Sequence, residues 1–209
     1  QLHLLPTLVE LGANVNITER RFGTTPLMMS VLKGNVTAAR VLLECGANPV
    51  IRNSQGRSCM YEAVQKGMET VIRAIVRKGV NPDAPADSTG MPLLFLVIEF
   101  EQLHLLPTLV ELGANVNITE RRFGTTPLMM SVLKGNVTAA RVLLECGANP
   151  VIRNSQGRSC MYEAVQKGME TVIRAIVRKG VNPDAPADST GMPLLFLVIE
   201  FEQLHLLPT

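Results

Sequence analysis

The sequence predicts an all-α solenoid, in which short antiparallel helix pairs stack on one another and are joined by extended, β-hairpin-like loops. Three observations support this fold class. Residues 1–101 recur without change as residues 102–202, glycines recur every 33 or 34 residues within that block, and the same helix start and stop signals accompany them. A short fixed period is typical of stacked units that share one continuous core.

Gly23, Gly56 and Gly90 open the three units of the first block, and each has a copy 101 residues later. In every unit, the glycine after the second helix lies 23 residues beyond the opening glycine. We therefore expect one solenoid domain over residues 1–209. Its predicted repeats are partial at 1–22, full at 23–55, 56–89, 90–123, 124–156 and 157–190, and partial at 191–209.

The first unit shows the helix signals most clearly. The Thr25 side chain can accept a hydrogen bond from an unpaired amide of the first turn, and Pro26 fits the first helical position, where no amide is needed. Gly34 can end this helix, and Gly46 can end a second helix that runs from about Val36 to Cys45. Each unit is therefore predicted to be a pair of short antiparallel helices.

The third unit departs from this pattern. The helix predicted over residues 92–101 is apolar on nearly every side, whereas a half-exposed helix shows one apolar stripe. We expect burial on all sides within the stack, and the alternative is an apolar patch that binds a partner. Glu101 stands where a glycine between the helices is expected. Pro107 falls in the first turn of the next helix, where its missing amide costs little.

The first unit resembles the ankyrin repeat. Thr-Pro-Leu at residues 25–27 opens its first helix, and Leu-Leu at 42–43 with Gly-Ala at 46–47 closes its second. Met28 and Tyr61 stand where the family usually has a histidine. The resemblance covers the whole chain. It implies an ankyrin solenoid whose loops and first helices line a concave binding face, with another protein or a peptide as partner.

By this resemblance, partner binding maps onto residues that flank each opening glycine or end each first helix. Exposed apolar side chains beside arginine are typical of binding hot spots. The predicted partner-binding residues are Arg21, Phe22, Thr24, Leu32, Lys33, Arg57, Gln65, Lys66, Met91, Phe100, Arg122, Phe123, Thr125, Leu133, Lys134, Arg158, Gln166 and Lys167. For Phe100 and Leu32, packing against the next helix is the alternative.

The composition argues against two partner classes. The formal net charge of +2 favours neither nucleic acid nor a membrane surface. The longest apolar run, Met91–Ile98, is far shorter than the roughly 20 residues of a membrane-spanning helix. We therefore expect no nucleic-acid partner and no membrane partner.

Four cysteines occupy two positions of the block, Cys45 and Cys59 with their copies Cys146 and Cys160. Their spacing matches neither a zinc motif nor a secreted disulfide framework. We expect buried free thiols, which behave as small apolar side chains. Free thiols and the lack of a signal-like segment favour a reducing, cytoplasmic location.

Catalysis needs a nucleophile, a base and a charge stabiliser that converge. The block has one histidine position, seen as His3, His104 and His205, and we expect it to have a surface or capping role. Asp83 and Asp87 lie in a proline-containing loop without the ligand pattern of a calcium loop, so we expect a stiff finger there. The sequence thus predicts no enzyme, no catalytic residue, no metal and no cofactor.

One modification signal follows from the resemblance. Ankyrin repeats resemble substrates of an asparaginyl hydroxylase when a leucine lies eight residues before the asparagine. Leu8 precedes Asn16 and Leu109 precedes Asn117 at this spacing, although the acidic residue usual two positions before the target is an asparagine here. The resemblance implies Asn16 and Asn117 as hydroxylation sites.

Two functions of different kinds remain open. The first is a non-enzymatic scaffold that binds a partner protein on the concave face. The alternative is an engineered or structural array that stacks end to end into filaments or oligomers and has no dedicated partner. Identity of the two blocks over 101 residues favours joined or recently duplicated blocks, and apolar residues occur at both ends of the sequence, in 2–9 and 194–199.

Overall fold

The structure, a computed structural model, describes residues 2–186 and 188–203. These residues form twelve α-helices and no β-strand, apart from isolated bridges between Arg52 and Ser58 and between Arg153 and Ser159. The predicted all-α fold class is confirmed. The chain divides into two compact units, Gln1–Ala114 and Asn115–Thr209. The repeat boundaries of the single predicted domain stay a prediction.

The helices are short, with seven to ten residues each. The first unit contains α1 (Leu4–Glu10), α2 (Pro26–Leu32), α3 (Val36–Glu44), α4 (Cys59–Gln65), α5 (Glu69–Arg77), α6 (Leu93–Glu99) and α7 (Leu105–Glu111). The second unit contains α8 (Pro127–Leu133), α9 (Val137–Glu145), α10 (Cys160–Gln166), α11 (Glu170–Arg178) and α12 (Leu194–Gln203).

Within the first unit, the helices form two rows. The first helices of the repeats, α2, α4 and α6, contact one another in that order, and the second helices α1, α3 and α5 do the same. The pairs α2 with α3, α4 with α5 and α6 with α7 join the rows. The second unit repeats this pattern, with α8, α10 and α12 in one row and α9 and α11 in the other.

The core of the first unit lies between its two rows. Leu27 and Val31 of α2, Leu43 of α3, and Ile72 and Ile75 of α5 are each at most 2% exposed. Residues three or four positions apart share one face of a helix, so this spacing directs the apolar side chains of each helix toward the other row.

The predicted start and end signals of the first helix pair are confirmed. The Thr25 hydroxyl oxygen accepts the amide of Met28 at 3.2 Å and thereby caps α2. Gly34, with a φ of 70°, takes the left-handed conformation that ends α2. The Asn35 side chain then caps α3 by accepting the amide of Ala38 at 2.9 Å.

Helix α6 is shorter than predicted, because Pro92 serves as its N-cap and the chain turns away after Glu99. Glu101 has a φ of 57°, so it adopts the left-handed conformation that glycine supplies in the other repeats. The six apolar residues 93–98 are all buried, which confirms the expected burial of this helix. Pro107 lies in the first turn of α7, as predicted.

Candidate partner-binding surface

A loop precedes each first helix, and we name these loops fingers. Fingers 1, 2 and 3 of the first unit are residues 14–24, 47–57 and 80–91. Fingers 4, 5 and 6 of the second unit are residues 115–125, 148–158 and 181–192, of which residue 187 lies outside the described residues. Most of the predicted partner-binding residues lie on fingers or at the C-terminal ends of first helices.

Finger 1 closes around the carboxylate of Glu19. Its Oε1 accepts the amides of Phe22 at 2.5 Å and Thr24 at 3.3 Å, and its Oε2 accepts the amide of Arg21 at 2.7 Å. Desolvation raises the pKa of Glu19, but the hydrogen bonds from these amides outweigh it, so the net pKa lies below its ordinary value. An ionised carboxylate therefore holds the fingertip in one shape, and Glu120 repeats the arrangement in finger 4.

Neighbouring fingers of the first unit approach closely at Gly23. The Ser54 amide of finger 2 donates to the carbonyl oxygen of Phe22 at 2.8 Å. A Cβ at Gly23 would lie 3.3 Å from that amide nitrogen, and φ is 65°, so both space and backbone conformation favour glycine. Ser155 and Phe123 form the same hydrogen bond at 2.8 Å in the second unit. The fingertips are thus tied to each other through their backbones.

Finger 1 exposes an aromatic ring with a guanidinium beside it. Phe22 is 49% exposed, and the guanidinium carbon of Arg21 lies 4.9 Å from its ring centre. In finger 4, Phe123 is also 49% exposed, and Arg122 lies 4.8 Å from its ring centre. A cation–π contact of this kind orients the guanidinium along the ring. Both predicted anchor residues therefore lie at the surface.

Finger 2 orients a second guanidinium. The Asn53 side-chain oxygen accepts the amides of Gln55 and Arg57, each at 3.0 Å, which fixes the turn. The Arg57 guanidinium lies 4.5 Å from the ring centre of Tyr61 in α4. The half-buried ring of Phe100 meets the Tyr61 ring edge-on at 5.5 Å. Phe100 therefore packs against a neighbouring helix, which is the alternative that the sequence left open.

The remaining predicted residues differ in exposure. Leu32, Lys33, Gln65, Lys66 and their copies Leu133, Lys134, Gln166 and Lys167 are exposed. The Arg158 guanidinium lies 4.6 Å from the ring centre of Tyr162, as Arg57 does with Tyr61. Met91 is half-buried. Thr24 and Thr125 are buried, at 7% and 9% exposure, so the prediction that their side chains face a partner is corrected. Both donate their backbone amides to the finger carboxylate instead.

Sequence reasoning missed two buried carboxylates, Glu62 in α4 and Glu163 in α10. They are 4% and 3% exposed, at the helix position that carries an apolar residue in α2 and α6. Desolvation raises the pKa of Glu62, and the charges of Arg57 and Lys66 lower it by less, so the net pKa lies above its ordinary value. No sequence signal marks these residues, because their burial depends on the neighbouring first helices.

Sequence reasoning also missed the roles of Glu19 and Glu120. A carboxylate that accepts three backbone amides can be recognised only when the loop is closed. For finger 2, the Asn53 and Gly56 spacing did offer a signal, because asparagine and glycine are typical turn residues.

The cysteines are free thiols, as predicted. Cys59 and Cys160 are buried, whereas Cys45 and Cys146 are only half-buried, so the prediction of burial is correct for one position of the block and wrong for the other. The half-buried pair lies at the C-terminal ends of α3 and α9, where the helix faces solvent on one side.

The histidines and acidic finger residues have local roles. His104 stands at the N-cap of α7, exposed, with its Nε2 3.3 Å from the carbonyl oxygen of Gly67, and His205 lies outside the described residues. Asp87 accepts the amide of Thr89 at 3.0 Å and its hydroxyl at 2.6 Å.

Among the described residues there is no cluster of His, Cys, Asp or Glu that could hold a metal ion. None of the described helices has the length and apolar character needed to cross a membrane.

Asn16 and Asn117 link neighbouring fingers within their units. The Oδ1 of Asn16 accepts the amide of Asn48 at 2.7 Å, and the Oδ1 of Asn117 accepts the amide of Asn149 at 2.7 Å. Since each target side chain is engaged in this bond, we expect local opening of the finger before an enzyme can reach it. Hydroxylation at these positions stays a prediction, and intact-mass analysis after exposure to the hydroxylase tests it.

Sequence comparison connects the chain with known proteins. The family profile described as "Ankyrin repeats (3 copies)" matches residues 1–86 and 94–187. The mouse B-cell lymphoma 3 protein homolog is 21% identical over 192 residues, which cover 90% of this chain and 43% of that protein. The chicken nuclear factor NF-kappa-B p105 subunit is 28% identical over 158 residues, which cover 74% of this chain and 16% of that protein. The chain thus spans less than half the length of these relatives.

Solved structures show the same fold. The ankyrin repeat domain of Bcl-3, described as a unique member of the IkappaB protein family, matches with a TM-score of 0.83 at 21% identity, over 97% of this chain and 91% of that one. The human ASB11 ankyrin repeat domain matches with a TM-score of 0.70 at 20% identity, over 100% and 94%. Because the family profile covers most of its residues, the chain belongs to the ankyrin repeat family and is a protein-interaction repeat domain.

Proposed function

We propose that this chain is a non-enzymatic interaction domain that binds a partner protein through its fingers and first helices. The ordered fingertip of fingers 1 and 4 carries this proposal. Each is closed around a carboxylate, and each exposes a phenylalanine beside an arginine. A surface that is ordered before binding loses less conformational entropy when the partner arrives.

The first helices extend this surface. Leu32 and Lys33 at the end of α2, and Gln65 and Lys66 at the end of α4, are exposed on the same row of helices that follows the fingers. Solenoid proteins bind partners on extended surfaces built from successive repeats. An apolar anchor within a polar surround has the composition of an interface hot spot.

A selection experiment with mapped variants tests the proposal. Short random peptides displayed on phage are selected against the intact chain, and the selected peptides are measured by isothermal titration calorimetry. We expect the double substitution Phe22→Ala and Phe123→Ala to weaken binding about tenfold or more, equivalent to about 1.4 kcal/mol. The matched control is Arg40→Ala with Arg141→Ala, because both side chains are exposed on second helices.

The control variant should bind the selected peptides with unchanged affinity. Circular dichroism of both variants shows whether the fold is kept. If the peptides bind the phenylalanine variant as tightly as the original chain, the fingers are not the binding surface and the proposal fails.

Self-association of the chain is a second candidate function. Leu195 and Phe196 of α12 are 73% and 63% exposed, whereas their copies Leu94 and Phe95 in α6 are 1% exposed. A second copy that packs one of its second helices against α12 would bury these side chains, in the way that the second helix α7 packs against α6. Sedimentation velocity at rising concentration tests this, and a monomer at every concentration would contradict it.

A further inference from the structure

We infer that the segment of the partner bound by fingers 1 and 2, or by their copies 4 and 5, is acidic and contains an apolar anchor residue. This inference rests on the proposed function and specifies the chemistry of the partner. It follows from the way charge is distributed over each unit and from the state of each charged side chain.

The fingers and first helices of the first two full repeats carry an excess of basic residues. Residues 17–34 and 48–67 contain only two acidic side chains, Glu19 and Glu62. The basic residues of the same ranges are Arg20, Arg21, Lys33, Arg52, Arg57 and Lys66. The corresponding ranges 118–135 and 149–168 repeat this composition. Finger 3 and α6 of the same unit, residues 80–101, contain Asp83, Asp87, Glu99 and Glu101 and no basic residue, so the excess is local to the first two full repeats.

The two acidic side chains offset only part of this excess. The carboxylate of Glu19 accepts three backbone amides of its own finger. Glu62 is 4% exposed. Six basic side chains outnumber these two carboxylates, so the net charge of these ranges is positive. The copies Glu120 and Glu163 are held in the same ways.

In each unit, two guanidinium groups are positioned by aromatic rings so that they can bind a carboxylate. Arg21 and Arg57 stack on the rings of Phe22 and Tyr61. Neither guanidinium has a carboxylate within ion-pair distance among the described residues. A stacked guanidinium keeps the N–H groups of its edge available, and their geometry fits both oxygens of a carboxylate.

Arg52 is different, because its guanidinium is already used within the fold. It donates to the carbonyl oxygen of Gly56 at 2.7 Å and to that of Pro85 at 2.7 Å, and so joins finger 2 to finger 3. Arg153 forms the equivalent bonds at 2.9 and 2.7 Å. Recognition is therefore assigned to Arg21 and Arg57 and their copies.

The exposed ring of Phe22 adds the requirement for an apolar residue in the partner. An apolar contact beside the guanidinium excludes water, and the ionic contact is then stronger than at an open surface. An acidic peptide fits this arrangement better than a nucleic acid. Nucleic-acid affinity depends on many phosphate contacts, and the low net charge of the chain supplies little long-range attraction for a polyanion.

The peptide selection described above also tests this inference, through the charge of the selected peptides. We expect enrichment of sequences rich in Asp and Glu around one aromatic or aliphatic residue. The double substitution Arg21→Ala with Arg122→Ala should weaken the best peptide about tenfold or more. Arg40→Ala with Arg141→Ala removes the same charge from second helices and should change affinity less than about twofold.

The outcomes separate the two proposals. Selected peptides that are neutral or basic, yet lose binding to the Phe22→Ala and Phe123→Ala variant, overturn the inference and leave the proposed function standing. Selected peptides that bind the Phe22→Ala and Phe123→Ala variant as tightly as the original chain overturn the proposed function itself. A single-stranded oligothymidine that binds the chain more tightly than the best acidic peptide, and displaces it, would overturn the choice of a protein partner. Affinity that stays constant from low to high salt would also overturn the inference, because screening weakens exposed ionic contacts.

Discussion

At the scale of single residues, two glutamates determine the local conformation of the chain. Glu19 provides acceptors for three amides of its finger. Glu101 takes a left-handed conformation, with a φ of 57°, in place of the glycine found at Gly34 and Gly67. Such a conformation costs a residue with a side chain roughly 1–2 kcal/mol, whereas glycine adopts it freely.

Glu101→Gly should therefore stabilise the chain by about 1 kcal/mol, through relief of the left-handed strain. Chemical denaturation followed by far-ultraviolet circular dichroism measures the change. The matched control is Glu202→Gly in the second block, since Glu202 lies within the helix α12. Glycine inside a helix lowers stability, so the two substitutions should act in opposite directions. A loss of stability from Glu101→Gly would contradict the proposed cause.

The two cysteine positions should differ in reactivity. Burial, with a smaller contribution from the nearby Glu62, raises the pKa of Cys59 to about 12. Burial likewise raises the pKa of Cys160 to about 12. At pH 8 only about one in ten thousand of such thiols is ionised, and the thiolate is the reactive form. We expect a thiol-reactive chromophore to modify Cys45 and Cys146 first in the folded protein.

The variant Cys45→Ser with Cys146→Ser checks this assignment. It should react slowly when folded and at full rate in denaturant. Fast reaction of the folded variant would show that the buried thiols are reached without unfolding.

At the scale of helices, stability depends on neighbours more than on the helices themselves. Each helix has seven to ten residues, and isolated helices of that length are marginal in water. Capping also varies between repeats: Thr25 caps α2 with its hydroxyl, whereas Ser58 makes no such bond at the start of α4. Contacts between rows and along each row therefore hold these elements together.

The buried Glu62 makes the packing of α4 sensitive to pH. Desolvation raises its folded pKa above the reference value of 4.5, so the folded state favours the protonated form. Its contribution to stability is greatest below the unfolded-state pKa and is lost as pH rises through the folded pKa. Glu62→Gln should thus be more stable than the original chain at pH 7, with a difference that shrinks toward pH 4.

Denaturation of both proteins across that pH range measures the difference. The control Glu44→Gln removes an exposed carboxylate that lies 4.0 Å from Arg40, and exposed pairs contribute little. If the gain in unfolding free energy from Glu62→Gln grows as pH falls, the pKa of Glu62 is not raised by burial and the stated cause is wrong.

At the scale of the whole molecule, identical sequences occupy different surroundings. The apolar helix at residues 93–98 is buried, and four of the corresponding residues of α12 are exposed.

This contrast predicts unequal effects of one substitution made in both copies. Ile72 of α5 is 0% exposed, and its copy Ile173 in α11 is half-buried. Ile72→Ala should cost about 3 kcal/mol and Ile173→Ala clearly less, because less apolar contact is lost. Hydrogen exchange of the amides in α5 and α11 measures each effect locally. Equal losses would show that the two environments are equivalent.

Much of the fold could be predicted from local signals. Thr25, Gly34 and the 23-residue spacing of glycines act through the backbone of a few neighbouring residues, so they are readable without a structure. Exposure of Phe22 and Phe123 was predicted as well, since both lie beside a turn glycine. The buried Thr24 and the half-buried Cys45 were predicted wrongly, because their exposure depends on how the finger and helix end fold back.

The sequence by itself determined the repeat, the helix pair and the family, because periodic spacing and helix caps are local properties of the chain. Only the tertiary structure decided which side chains make the candidate surface. The carboxylate of Glu19 becomes an organiser of the finger only when three amides converge on it, and Glu62 is hidden only when neighbouring first helices pack. The two identical blocks show the same limit, since a side chain is buried or exposed according to what packs against it.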